Sequence, residues 1–149
     1  MTKTIYFYHQ HEPYFEFTNF YMRPIVLKDK EWPSAEHYFQ AQKFAGTPLE
    51  EEVRLTESPR AAFSIPRIHS EDVRPDWFQI NVAVMRDAVR AKFFQHADLG
   101  RMLLKTGDAR LVEHTANDKF WGDGGDGSGQ NKLGKILMEI RAELKKKAG

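Results

Sequence analysis

Glu36 and Lys43 stand seven residues apart in the segment Trp32-Pro33-Ser34-Ala35-Glu36-His37-Tyr38-Phe39-Gln40-Ala41-Gln42-Lys43-Phe44. In a helix two turns separate them, so a carboxylate and an amine leave one face about 10 Å apart and can converge on one ligand. Glu36 falls in the first turn, where the helix dipole favours the ionised carboxylate, the state needed beside a developing cation. A surface helix with scattered charges is the competing explanation of the same spacing. His37 and His96 read as core or surface histidines, and no carboxylate or imidazole recurs at ligand spacing, so neither metal nor cofactor is expected.

A second constellation lies in Leu111-Val112-Glu113-His114-Thr115-Ala116-Asn117-Asp118-Lys119-Phe120-Trp121-Gly122-Asp123-Gly124-Gly125. A glycine-rich turn whose amides run into a helix N-terminus is a simple way to build a phosphate cradle, because glycine lets backbone approach and supplies unhindered donors. Asp123 is expected at its mouth. A mobile surface loop would have a similar composition, but such loops seldom carry an indole like that of Trp121.

The elements that must position these residues follow from local pattern. Short apolar runs at Ile5-Tyr6-Phe7-Tyr8 and Ile25-Val26-Leu27 predict strands, the second turning at Lys28-Asp29-Lys30 into Glu31-Trp32. Ser34 is placed to cap a helix that ends near Gly46. Thr47-Pro48-Leu49-Glu50 reads as a capping box with proline at the first helical position, and Ser58-Pro59 opens another short turn of helix. Asp76 with Gln79 starts the longest helix, expected to be central and buried, with a stripe of Ile80, Val84, Ala88 and Ala91. Leu99 to Lys105 predicts a helix, Ala109 to Glu113 a strand, and Leu133 to Lys147 a terminal helix with Leu133, Ile136, Leu137, Ile140 and Leu144 on one face. The fold class is therefore α+β: a single helix-dominated domain, 1–149, with a few short strands.

Two generic motif matches fail on context. Gly122 to Gly127 fits the dinucleotide pattern, yet no βαβ unit surrounds it, and the chain ends about twenty residues later inside a helix. Gly129 to Lys135 fits a P-loop, but Ile136 stands where a magnesium-binding hydroxyl belongs. An EF-hand fails too, because Gly125 and Gly127 supply no side-chain oxygen.

Composition narrows the function. With 22 basic and 21 acidic residues the net charge is +1, so there is no whole-molecule field to hold a polyanion, and small-molecule chemistry is favoured over nucleic acid. The absence of cysteine excludes disulfides and thiolate metal sites, and no apolar run suits a signal peptide or membrane span, so a cytoplasmic protein without membrane association is expected.

With both segments placed, the sequence resembles the YbiA/NADAR family. The resemblance is carried by Phe17-Thr18-Asn19-Phe20, by Trp32 to Phe44, by Arg74-Pro75-Asp76-Trp77, by Met85-Arg86-Asp87-Ala88-Val89-Arg90-Ala91-Lys92-Phe93, and by Leu111 to Gly125 with Gln130-Asn131-Lys132-Leu133-Gly134. It implies a YbiA-like fold and an N-glycosidase. Two substrate classes come with it: phosphoribosylamino-pyrimidine intermediates of riboflavin synthesis, and ADP-ribose linked to guanine. It also places Glu36, Trp77 and Asp123 on family functional positions and suggests a lysine Schiff base with the opened ribose, for which Lys43 is the first candidate and Lys92 the second. The chain departs from the pattern at Ser64-Ile65-Pro66-Arg67 and at Asn81.

The chemistry assigns tasks. Breaking a ribosyl C–N bond passes through a cation-like sugar, so a carboxylate beside C1 and a proton source are required, tasks for Glu36 and Asp123. An attacking lysine must be neutral, which calls for burial or a cationic neighbour, Arg86 or His37. Trp77 or Trp121 would stack on the base, and the loop of Gly122 and Gly124, with Asn131, would hold phosphate. Asn19, Phe20, His37, Arg86 and Lys92 complete the expected binding set. The partner is a small phosphoribosyl or ADP-ribosyl molecule, or ADP-ribosylated nucleic acid, with no obligate protein partner. A non-catalytic module that binds ADP-ribose is the rival from another class.

Overall fold

A computed structural model describes residues 2–148. Among the described residues the order is β1 (Thr4–Phe7), β2 (Met22–Leu27), β3 (Lys30–Ser34), α1 (Ala35–Ala41), α2 (Pro48–Arg54), α3 (Pro59–Ile68), α4 (Trp77–Gln95), α5 (Ala97–Leu104), β4 (Arg110–Glu113) and α6 (Lys132–Ala148). This is the helix-dominated α+β architecture with few short strands that the pattern implied. None of these helices is long and apolar enough to cross a membrane. The chain forms two compact units, residues 19–92 and the residues up to 18 with those from 93 onward.

In the unit of residues 19–92, β2 and β3 form an antiparallel hairpin with Leu27 opposite Lys30. Its two-residue turn needs positive φ at both positions, and Lys28 (φ 56°) and Asp29 (φ 60°) adopt it. The Lys28 ammonium donates to Glu50 Oε2 at 2.7 Å and to Gln42 Oε1 at 2.9 Å, which ties the turn to α2 and to the end of α1. The core gathers Ile25, Trp32, Tyr38, Phe44 and Val53 with Ala35, Ala41, Ala62, Ala88 and Ala91. The alanines let α1 and its neighbours approach closely, while Trp32 satisfies its indole by donating to Leu27 O.

Three local readings are corrected. Thr47 does not cap α2: its hydroxyl donates to Phe44 O, and the Glu50 carboxylate accepts from Gly46 N, so the reciprocal box does not form. The helix at Ser58 is no short turn; capped by the Ser58 hydroxyl, it runs ten residues with Pro66 inside. Nor is α4 buried all round. Its buried line passes through Trp77, Asn81, Met85, Val89 and Lys92, while Ile80 and Val84 are half-buried and Phe78 is 88% exposed. Of the expected stripe Ala88 and Ala91 are buried in the core and Val84 packs against it; what periodicity left out are the buried polar residues Asn81 and Lys92.

In the other unit β1 runs parallel to β4, from Thr4 opposite Arg110 to Phe7 opposite Glu113. Phe17 packs edge-on against Phe7 and Phe93, both with centroids 5.8 Å away. Helix α6 packs on β4 through Leu133, Ile136, Leu137 and Ile140, all buried as expected. Contact is so close at Gly134 that a Cβ there would lie 2.1 Å from Leu111 O and 2.4 Å from the Asn131 amide. Gly134→Ala therefore forces the helix off the strand. The expected loss is about 3 kcal/mol, roughly 10 °C in Tm for a chain of this size, read by thermal unfolding; an unchanged Tm refutes the packing account.

Candidate active site

The segment that carries Glu36 is anchored before it turns helical. Ser34 is extended (φ −156°) and its Oγ accepts from His37 N at 3.2 Å, the N-cap bond that starts α1. The His37 ring locks the same corner: Nε2 donates to Thr56 O at 3.0 Å, which leaves Nδ1 bare to accept from the Ser34 hydroxyl at 2.7 Å. Burial pushes His37 below its usual pKa, against the opposing Thr56 bond. The ring is neutral, wholly buried and engaged at both nitrogens.

Every residue of α1 is buried, so the surface-helix explanation of its charges fails. Glu36 is 5% exposed. Its amide donates to Asn19 O at 3.2 Å, and its Oε2 accepts from Gln40 Nε2 at 2.8 Å, one helical turn on. Lys43 follows in a 3-10 turn over Gln42–Phe44. Its Nζ lies 5.9 Å from the Phe39 centroid and 5.7 Å from that of Trp77, two rings packed at 5.1 Å. Burial and then the positive charge of Arg67 push this amine down to about 8, against the pull of the Glu36 carboxylate. Glu36, Lys43 and Trp77 thus share one electrostatic neighbourhood. The cation acting on Lys43 is Arg67, not Arg86 or His37 as the sequence suggested.

The other expected residues of this unit have contacts of their own. Asn19 is 8% exposed and its Nδ2 contacts Met85 Sδ at 2.9 Å. Asn19 Oδ1 and Gln40 Oε1 are buried without a hydrogen-bond partner among the described residues. Lys92 is almost fully buried, its Nζ 5.5 Å from the Tyr21 centroid, and Arg86 is half-buried on α4. Phe20 faces Phe63 at 6.3 Å. His69, Glu71 and Asp72 bring possible ligand atoms within 4.8 Å of one another at the exposed end of α3, a cluster that the spacing argument overlooked.

In the other unit Asp123 is 4% exposed. Its Oδ1 accepts from Thr115 N at 3.1 Å and Gly125 N at 2.8 Å, and its Oδ2 accepts from His114 Nδ1 at 2.7 Å. Burial works against its ionisation, but the bonds from His114, Gly125 and Thr115 outweigh it and hold the carboxyl below the usual aspartate value. Asp123, half-exposed His114, Tyr6, Arg110 and Asp126 help line a cleft of about 400 Å³.

The open amide cradle expected here is not what the chain builds. Amides 123–125 and 127–133 all donate to protein acceptors, Gly124 N to Asp118 O among them. Gly122 serves packing, since a Cβ would meet Glu113 O at 2.9 Å. Asn131 is likewise engaged: Oδ1 accepts from Glu113 N at 3.0 Å and Nδ2 donates to Leu111 O at 2.9 Å, so its side chain extends the β4 hydrogen-bond pattern. Trp121 is half-buried, edge-on to Phe120 at 4.8 Å.

Sequence reasoning missed three residues. Gln40 was findable, because a Gln four residues after a Glu lies on the same helical face. His114 adjoined the motif yet had no partner until Asp123 folded beside it. Arg67 carried no signal, because its relation to Lys43 is tertiary.

A family model described as the NADAR domain matches residues 6–145. The N-glycosidase YbiA of Escherichia coli strain K12 is 49% identical over 138 residues, covering 93% of this chain and 86% of that protein. An N-glycosidase of Nostoc punctiforme is 42% identical over 148 residues, covering 95% and 93%. A riboflavin biosynthesis protein of Vibrio vulnificus is 47% identical over 148 residues, 99% of this chain but 40% of its own length. The NMR structure of E. coli YbiA superposes with a TM-score of 0.90 at 48% identity, covering 99% of this chain and 89% of that one.

Proposed function

Because the chain belongs to the NADAR family and is an N-glycosidase like the relatives it matches, we propose that it cleaves the C–N bond of a phosphoribosylamino-pyrimidine of the riboflavin pathway through an amine attack by Lys43. The substrate class rests on the naming of a relative as a riboflavin biosynthesis protein and on a net charge of +1, which favours a free metabolite over a polyanion. The observation that carries the mechanism is the Lys43 amine, held at about 8 by burial and Arg67.

Neutral Lys43 donates its lone pair to C1 of the ribose as the bond to the base nitrogen breaks. The departing nitrogen takes up a proton, and ring opening leaves an imine between Lys43 and C1. Water then adds to that imine, freeing the lysine and the sugar phosphate. Glu36 supplies the negative charge that steadies the cation-like sugar, with Gln40 fixing the direction of its carboxylate. Trp77 offers the ring against which a base can lie. Asp123 is assigned to proton handling through His114, whose Nδ1 it holds.

The test is direct. Purified protein is incubated separately with a phosphoribosylamino-pyrimidine and with ADP-ribosylated guanosine; release of pyrimidine supports the proposal, release of guanine alone moves the substrate class, and no release from either overturns it. A pH profile adds a second check. Turnover climbs as pH rises through about 8, where Lys43 loses its proton. Arg67→Gln removes a charge that favours deprotonation, so the climb moves to higher pH; a profile that stays put separates Lys43 from the rate.

A further inference from the structure

The amides of the glycine loop are taken up within the protein, so the phosphate of the proposed substrate needs donors elsewhere. Helix α3 offers them. Arg60, Phe63 and Arg67 fall at i, i+3 and i+7, one face of the helix. The Arg67 guanidinium lies 3.4 Å from the Phe63 centroid and donates through Nη1 to Phe63 O at 2.7 Å, which fixes its plane. Arg60 lies over the same ring at 5.8 Å and over Phe20 at 5.9 Å. Its guanidinium has no hydrogen-bond or ion-pair partner among the described residues. Two like charges gathered on one ring repel, and a bound dianion removes that cost. The face is also tied to the reacting residues: Phe20 directly follows Asn19, whose carbonyl accepts the Glu36 amide.

We propose that the Arg60, Phe63 and Arg67 face of α3, together with Phe20, is the subsite that binds the phosphate of the ribosyl substrate. The inference rests on the glycosidase reading for the identity of the ligand. Arginine suits the task, because its fork presents several donors to phosphate oxygens while its flat face rests on the phenyl ring.

Calorimetry with ribose 5-phosphate and with ribose tests it, alongside base release by the same samples. Wild type should bind ribose 5-phosphate at least about tenfold more tightly than ribose. Arg60→Gln and Arg67→Gln should each weaken ribose 5-phosphate about tenfold and leave ribose unchanged. In turnover Arg60→Gln raises KM and spares kcat, whereas Arg67→Gln also displaces the pH profile, because only Arg67 acts on Lys43. Arg110→Gln, on β4, leaves the phosphate preference intact. Equal affinity of wild type for the two sugars overturns the subsite. So does a preference that survives both helix variants or disappears with Arg110→Gln. Base release by wild type together with any of those outcomes leaves the glycosidase reading standing; no base release despite a phosphate preference abolished by the helix variants defeats that reading alone. Both arginines are exposed, so their variants should fold, and unfolding curves check this.

Discussion

Glu36→Gln lowers turnover at least about a hundredfold, the scale of removing one preorganised electrostatic group from a reacting centre, while the protein unfolds at nearly the wild-type temperature. The structure makes this a clean removal of charge. Glutamine retains a carbonyl to accept from Gln40 Nε2, and the backbone bond from residue 36 to Asn19 O does not involve the side chain. The substitution also removes the charge that raises the Lys43 pKa, so the lysine becomes easier to deprotonate. Lower activity therefore cannot be blamed on a more protonated amine. Comparing kcat of the two proteins on both sides of pH 8 checks the argument, and a folded variant with undiminished turnover eliminates Glu36 from the chemistry. Asp123→Asn should also cost about a hundredfold, but with lost stability, since an amide would turn a donor toward the amides of Thr115 and Gly125 or toward His114.

Lys43→Met abolishes the covalent intermediate and lowers turnover at least about a thousandfold. Borohydride added during turnover of wild type should reduce the imine and leave the sugar phosphate on Lys43, mapped by mass spectrometry. Lys92, buried on α4, stays in the variant as an internal control. An adduct on Lys92 moves the attack to that residue, and no adduct on any lysine favours direct attack by water. Stability separates this lysine from a structural one. Its folded pKa is below its unfolded value, so folding penalises the charged form at every pH below about 8, and methionine removes that penalty. The variant should melt at or above the wild-type temperature at pH 7.

The sequence disclosed the parts of this fold that local chemistry decides. Ser34 and Ser58 cap helices because a hydroxyl before an amide-rich first turn has a nearby donor to satisfy. The hairpin turn and the apolar face of α6 follow from patterns within a few residues, whereas the parallel pairing of β1 with β4 joins segments over a hundred residues apart and is not written in either. Glu36 and Lys43 were legible as a pair because helical spacing predicted them on one face, although Lys43 falls in a 3-10 turn beyond the end of α1. What lay beyond reach depends on distant chain. Nothing near Lys43 announces Arg67, twenty-four residues away, and nothing in a glycine-rich run tells whether its amides point outward or close on its own carbonyls. The polar members of α4's buried line were hidden for a related reason: periodicity counts apolar residues, and Asn81 and Lys92 are buried where a core would place leucine.

The closed bonding of the amides of residues 123–125 and 127–133 has a dynamic corollary. A segment whose N–H groups already have acceptors gains no new bonds by folding over an anion, so substrate arrival asks for no disorder-to-order transition there and no lid motion of its backbone. Any slow conformational step in the catalytic cycle then has to be sought in other parts of the chain.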